Sequence, residues 1–197
     1  MRIPDGYGNQ MDKPGDLDVV HDCIDTAIRR TGNRSLQSAN FLVVDKPETR
    51  HALAKIYHKG MIVCRGSSPS ARQLMTRHYV SEGFPQGTES AEYLADHVDQ
   101  VPIMVIPCLE TWMHEYPDRF TQATMMGYIV SAAWSFCLAA QARGLGTTWT
   151  TLHLLFEREA AELLDIPYCD VRQIALIAVV HTPEIGGPQA HGTSHAR

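Results

Sequence analysis

No hydrophobic signal core stands near the start of this 197-residue chain, whose first residues, MRIPDGYGNQMDKPGD, are polar and turn-rich. Long apolar runs are lacking too: a stretch such as Ile174 to Val180 is far too short to span a bilayer. Both absences predict a protein with no membrane partner. Basic charge is scarce, with a formal net charge of -5, so there is no electrostatic footprint for nucleic acid. No CxxC occurs among the five cysteines (Cys23, Cys64, Cys108, Cys137, Cys169), which are odd in number and widely spaced. That pattern fits reduced, small-hydrophobe cysteines in a cytoplasmic protein.

The common catalytic motifs are missing as well. There is no Gly-x-Ser-x-Gly elbow, and the Gly-x-Gly at Gly144-Leu145-Gly146 follows a helix and lacks the third glycine of a dinucleotide fingerprint. The ten histidines are scattered; His191 and His195 lie four apart, but in a Gly/Ser tail with no helix to align them, so no metal site is expected. Cys137 sits in an all-apolar segment, where a thiol stays protonated and inert.

What the chain does have is one stretch, Gly127 to Leu155, around which the rest is organised. Ile129 to Ala142 is Ala-rich and apolar on nearly every side, and such a helix is buried in a core or against a second subunit. Ala139 is assigned to the partner-facing side. Arg143 and Gly144 end the helix, a cation for its negative terminus and a glycine for the left-handed cap. The following LGTTWTTL suits a strand or strand-like loop whose backbone lies against a flat ligand. On the residues alone, two readings stand. In one, the segment is a cofactor cradle; in the other, Gly144–Gly146 is a helix stop and Trp149 a core aromatic.

Residues 1–16 read as an irregular arm, 17–183 as a single domain and 184–197 as a disordered tail. Within the domain, helices are expected over Leu17 to Arg30, from Glu48 through Tyr57, over Glu89 to His97 and over Glu157 to Leu164. Strands are expected over Asn40 to Asp45, Val101 to Leu109 and Arg172 to His181, with a further one from Met61 to Cys64. Residues 65–88 read as a long irregular loop, a candidate lid, and Glu110 to Gln122 as a surface insertion carrying Trp112, His114 and Tyr116.

The block AAWSFCLAAQARGLGTTWTTLHLLFEREAAELLDIP resembles the nitroreductase family of FMN-dependent oxidoreductases, in which an Ala-rich helix ends in GLGT-x-W and a Leu-Gly-Ile-Pro turn follows. Here that turn is Leu164-Asp165-Ile166-Pro167. Asn33-Arg34-Ser35-Leu36-Gln37 with FLVVDKPETR, Tyr93-Leu94-Ala95 with Val101 to Cys108, and Ala175 to Thr182 are similar to further family blocks, in the same order. The resemblance implies an α+β fold, a mostly antiparallel sheet surrounded by helices, in a homodimer with FMN at the subunit interface. It implies NAD(P)H as co-substrate, reducing nitro compounds, quinones or similar small-molecule electron acceptors by ping-pong hydride transfer, with no catalytic side chain assigned. Gly32, Asn33, Arg34, Ser35 and Gln37 would contact FMN from one loop, and Trp149, Thr150, Thr151, Leu152 and His153 would lie along its ring.

Two family features are absent. Where members carry an N-terminal Arg cluster this chain has Tyr7-Gly8-Asn9-Gln10, and after Thr182 only Arg197 replaces the usual C-terminal basic pair. Ser35 and Ala39 also stand where Asn and Trp are common. Charge-assisted contacts to a phosphate are worth about 1.5–3 kcal/mol each, so losing two weakens FMN by about two to four decades. This leaves room for a member that binds flavin weakly or sequesters it, or for another flavin reaction such as reductive dehalogenation.

Overall fold

The structure, a computed structural model, describes residues 16–30, 39–66, 93–110 and 118–181. Its centre is a five-stranded sheet, all of whose pairings are antiparallel. The strands are β1 (Ala39–Val44), β2 (Ile103–Glu110), β3 (Leu145–Thr150), β4 (Val171–Gln173) and β5 (Leu176–His181). Around it stand helices α1 (Asp16–Arg30), α2 (Pro47–Gly66), α3 (Arg119–Gln141) and α4 (Glu157–Leu163). The main path runs β1-β2-β5-β3, with β4 also on β2. The expected α+β architecture, a sheet with helices around it, is what forms.

Why the strand sequences are apolar without alternation follows from the layers. Met104, Ile106 and Cys108 of β2 and Leu176 and Ala178 of β5 join one core with Leu53, Ile56 and Tyr57 of α2. Their neighbours Ile103, Val105, Ile177 and Val179 join a second core with Val20, Cys23 and Ala27 of α1 and Phe136, Cys137 and Ala140 of α3. A sheet covered on both faces needs apolar side chains at both parities.

Four expectations about elements are corrected. Met61 to Cys64 is the last part of α2, not a strand; Ile62 is 69% exposed there, so its β-branched side chain packs no sheet. The expected single strand Arg172–His181 is broken at Ile174–Ala175. The β2 pairing register slips by one residue between β4 and β5, which is a β-bulge. The break falls beside Pro107, which has no N–H for the ladder but accepts from the Ile174 N–H at 2.9 Å. The end of the expected 110–122 insertion is helical, because Asp118 caps α3 by accepting from the Phe120 and Thr121 amides at 2.9 and 3.0 Å. One apolar segment is also longer than the sequence suggests. α3, at 23 residues, is long and apolar enough to cross a bilayer by length and composition. Its inner side, Ile129, Ala132, Ala133, Phe136, Cys137 and Ala140, is buried in this fold.

The helix stop behaves as expected. Gly144 takes φ +79°, and Arg143 donates to the Ala139 carbonyl at 3.1 Å. At the Leu164-Asp165-Ile166-Pro167 turn it is Asp165 that adopts positive φ (+55°), while the Ile166 amide reaches back to the Ala161 carbonyl at 2.8 Å. Residues 93–97 are helical, as expected. The 1–15 arm, the loop over 31–38, the 67–88 part of the candidate lid, Trp112, His114, Tyr116 and the 184–197 tail lie outside the described residues.

Candidate functional site

The segment singled out in the sequence becomes β3 followed by a 3-10 turn, Leu152–Phe156. Among the described residues β3 pairs only with β5, from Leu145↔His181 to Thr150↔Leu176, so it is the edge of the sheet. Thr151, where strand passes to turn, is exposed. An edge strand offers unpaired backbone donors and acceptors, the groups a flat heteroaromatic ring needs for in-plane hydrogen bonds.

α2 braces this segment from one side. Tyr57, buried in the core, brings its hydroxyl to 3.2 Å from Thr150 Oγ1. Burial raises the Tyr57 pKa, so it stays a neutral hydroxyl. Three residues on, Gly60 lies directly against the Leu152 carbonyl. Lys59 pairs with Glu159 of α4. On the α3 side, Trp149 packs half-buried against the clusters of Phe136 and of Leu109, Ile129 and Ile174.

The five residues expected along a ring thus separate by role. Trp149 and Thr150 anchor the strand to α3 and α2, Thr151 faces outward, and Leu152 packs into the α2 core. His153 is 0% exposed, so its contribution to any ligand runs through its backbone. Neither ring nitrogen has a hydrogen-bond partner among the described residues. Burial pushes the ring's pKa down to about 4, with Gln173 acting weakly in the other direction although it falls outside hydrogen-bonding geometry. Gln173 is itself tied to α4, its amide donating to Glu157 Oε1 at 3.0 Å and its Nε2 to the Glu157 carbonyl at 3.3 Å. The other expected contacts, Gly32, Asn33, Arg34, Ser35 and Gln37, lie outside the described residues.

The donor set fits one part of FMN. The β3–turn backbone and exposed Thr151 suit the ring; residues 145–156 include no Lys or Arg, so a phosphate dianion must be met elsewhere. The described residues bring no three His, Cys, Asp or Glu side chains together as a metal site. A surface cleft lined by Asp22, Asp25, Thr26, Arg29 and Arg143 balances two acids against two bases, and includes no residue of the segment.

Sequence reasoning missed Gly60 and Tyr57. A lone glycine inside an otherwise helical pattern was the available signal. It also missed which side of α3 points outward. Met126, Val130, Trp134 and Leu138, at i, i+4 spacing, are 43%, 41%, 60% and 52% exposed, whereas Ala139 is half-buried against the core cluster that includes Phe136 and Cys137.

The family model described as "Nitroreductase family" matches residues 12–180. No curated protein gives a significant match. Among solved structures, an iodotyrosine deiodinase bound to FMN and 3-iodo-L-tyrosine is similar with a TM-score of 0.66 at 14% identity, over 95% of this chain and 90% of that one. The FMN-dependent nitroreductase NfnB from Mycobacterium smegmatis, in complex with NADPH, gives 0.60 at 12% identity, over 94% and 90%. A BluB-like flavoprotein from Clostridium difficile 630 gives 0.58 at 14% identity, over 97% and 94%. At these identities the likeness is one of fold.

Proposed function

This chain belongs to the nitroreductase family, and from that premise we propose that it is an FMN-dependent oxidoreductase. It uses NAD(P)H to reduce nitro compounds, quinones or similar small-molecule acceptors in two half-reactions. The observation that carries the proposal is the edge strand β3 ending at exposed Thr151, braced from behind by α2 and α3. FMN, when bound, supplies the hydride chemistry. The chain's part is to hold and orient the ring through the backbone of Trp149 to His153. Gly32, Asn33, Arg34, Ser35 and Gln37 complete the binding loop, and Arg34 is its one cation. No side chain of the β3–turn segment is asked to exchange a proton, and buried neutral His153 is consistent with that.

The working unit is a homodimer in this reading. The outward stripe Met126, Val130, Trp134 and Leu138 supports it, since a contiguous apolar strip on one helix suits a second copy better than water. A cytoplasmic location is part of the same reading.

A second reading is favoured by the missing Arg cluster and basic pair: a member that binds flavin weakly and sequesters it or regulates through it. The visible absorption spectrum of the purified protein, with and without added FMN, separates the two. Saturable FMN binding with NADH or NADPH oxidation on adding a nitroarene or a quinone supports the oxidoreductase. A colourless protein with no saturable FMN binding defeats it, and FMN binding without turnover favours the second reading. Turnover confined to a halogenated aromatic would instead indicate reductive dehalogenation.

A further inference from the structure

Gly60 lies inside the 20-residue helix α2, where glycine is a poor choice for helix stability. Its place is explained by what it faces. A Cβ built there would lie 2.3 Å from the Leu152 carbonyl oxygen, 2.9 Å from the carbonyl carbon and 3.3 Å from Leu152 Cβ. The first two are backbone atoms, so no side-chain rotation relieves the clash. The oxygen contact falls about 1 Å short of ordinary van der Waals distance, and one of the two elements has to move.

One helical turn earlier on α2, Tyr57 reaches Thr150 Oγ1 at 3.2 Å. These two α2 residues, at i and i+3, thus hold the residues on either side of Thr151, the exposed position between strand and turn. We propose that Gly60 is a positioning residue: its bare Cα lets α2 seat on the Leu152 carbonyl and, with Tyr57, fixes the Thr150–His153 backbone that receives the flavin ring. This rests on the flavin reading above, and assigns the depth and angle of that backbone to α2 rather than to the strand itself. Backbone donors stabilise a ring only when held in place beforehand, so a displaced turn weakens binding and alters the ring's electronic environment.

The test uses Gly60→Ala and Tyr57→Phe in the full chain. Amide hydrogen exchange of the protein without flavin comes first. Gly60→Ala is expected to speed exchange over residues 151–156 by about tenfold or more while β2 and β5 stay protected. In FMN titrations the same variant is expected to bind at least about tenfold more weakly, with a visible flavin band displaced from wild type. Unchanged exchange over 151–156, or an equal loss of protection throughout the sheet, overturns the proposal. So does a flavin affinity and spectrum equal to wild type. If Gly60→Ala does not fold, Tyr57→Phe decides: faster exchange confined to residues 150–153 supports the brace, and unchanged exchange there refutes it. A wild-type protein that binds no FMN defeats the functional reading, while the exchange result still reports on the brace.

Discussion

A histidine sealed in the core without a hydrogen bond makes stability depend on pH in a way that one substitution removes. His153 is fully buried, neither ring nitrogen has a partner among the described residues, and its pKa is pushed down to about 4. In the unfolded chain it titrates near its ordinary ~6.5. Between these values the unfolded state binds a proton that the native state refuses, so stability is full above about pH 6.5 and falls as pH drops towards 4. The slope approaches about 1.4 kcal/mol per pH unit, and the loss between pH 7.5 and pH 5 is about 2 kcal/mol from this residue alone. His153→Leu removes the titration and two unpartnered polar atoms, whose burial costs about 1–3 kcal/mol each. The variant should therefore match or exceed wild type at pH 7.5. Its advantage should grow by about 2 kcal/mol at pH 5, or about 4–8 °C in Tm. Urea unfolding of the flavin-free protein, followed by tryptophan fluorescence at fixed protein concentration, measures both. Because other carboxylates and histidines titrate alike in the two proteins, the difference isolates His153. If the two pH profiles run parallel within about 0.5 kcal/mol, the ring is not buried and neutral as described, and the reasoning fails.

The outward stripe of α3 predicts that Trp134→Glu weakens self-association by about a hundredfold or more, read by sedimentation at several concentrations, because a carboxylate there would be buried unpaired on association. Ala139→Glu should instead destabilise the protomer itself, since Ala139 is packed against the core cluster that includes Phe136 and Cys137; a folded monomer would show that assignment to be wrong. Asp165→Gly relieves a left-handed conformation at φ +55° and should raise Tm by about 1–4 °C, an unchanged or lowered Tm counting against the turn geometry. Among the thiols, exposed Cys169 should react first with a disulfide reagent, whereas Cys108, pushed up to about 12 chiefly by burial and then by the Glu157 charge, should react only on unfolding. Persistence of the fast phase in Cys169→Ser would contradict this.

How much of this was legible depended on whether the local signal and the tertiary constraint agreed. The α3–β3 junction was readable because Arg143 and Gly144 form a local stop that the structure uses unchanged. The continuous apolar strands were readable because covering both faces of the sheet leaves no alternation to find. Met61 to Cys64 misled because Ile62 and Val63 have strand propensity yet continue a helix begun at Pro47, where burial is not what places them. The break in the last strand was written elsewhere: Pro107, on the neighbouring strand, is the residue without a ladder donor, and no reading of 172–181 alone contains it. The site follows the same division. Composition marked the stretch LGTTWTTL with two readings open and the family resemblance supplied Trp149 to His153, but neither said which of these residues face inward. That was settled by α2, nearly a hundred residues earlier, through Tyr57 on Thr150 and Gly60 on Leu152. A backbone-built site carries little chemistry in its own side chains. Its specification therefore lies in the residues that press on it from behind, and a glycine in mid-helix was the mark they left in the sequence.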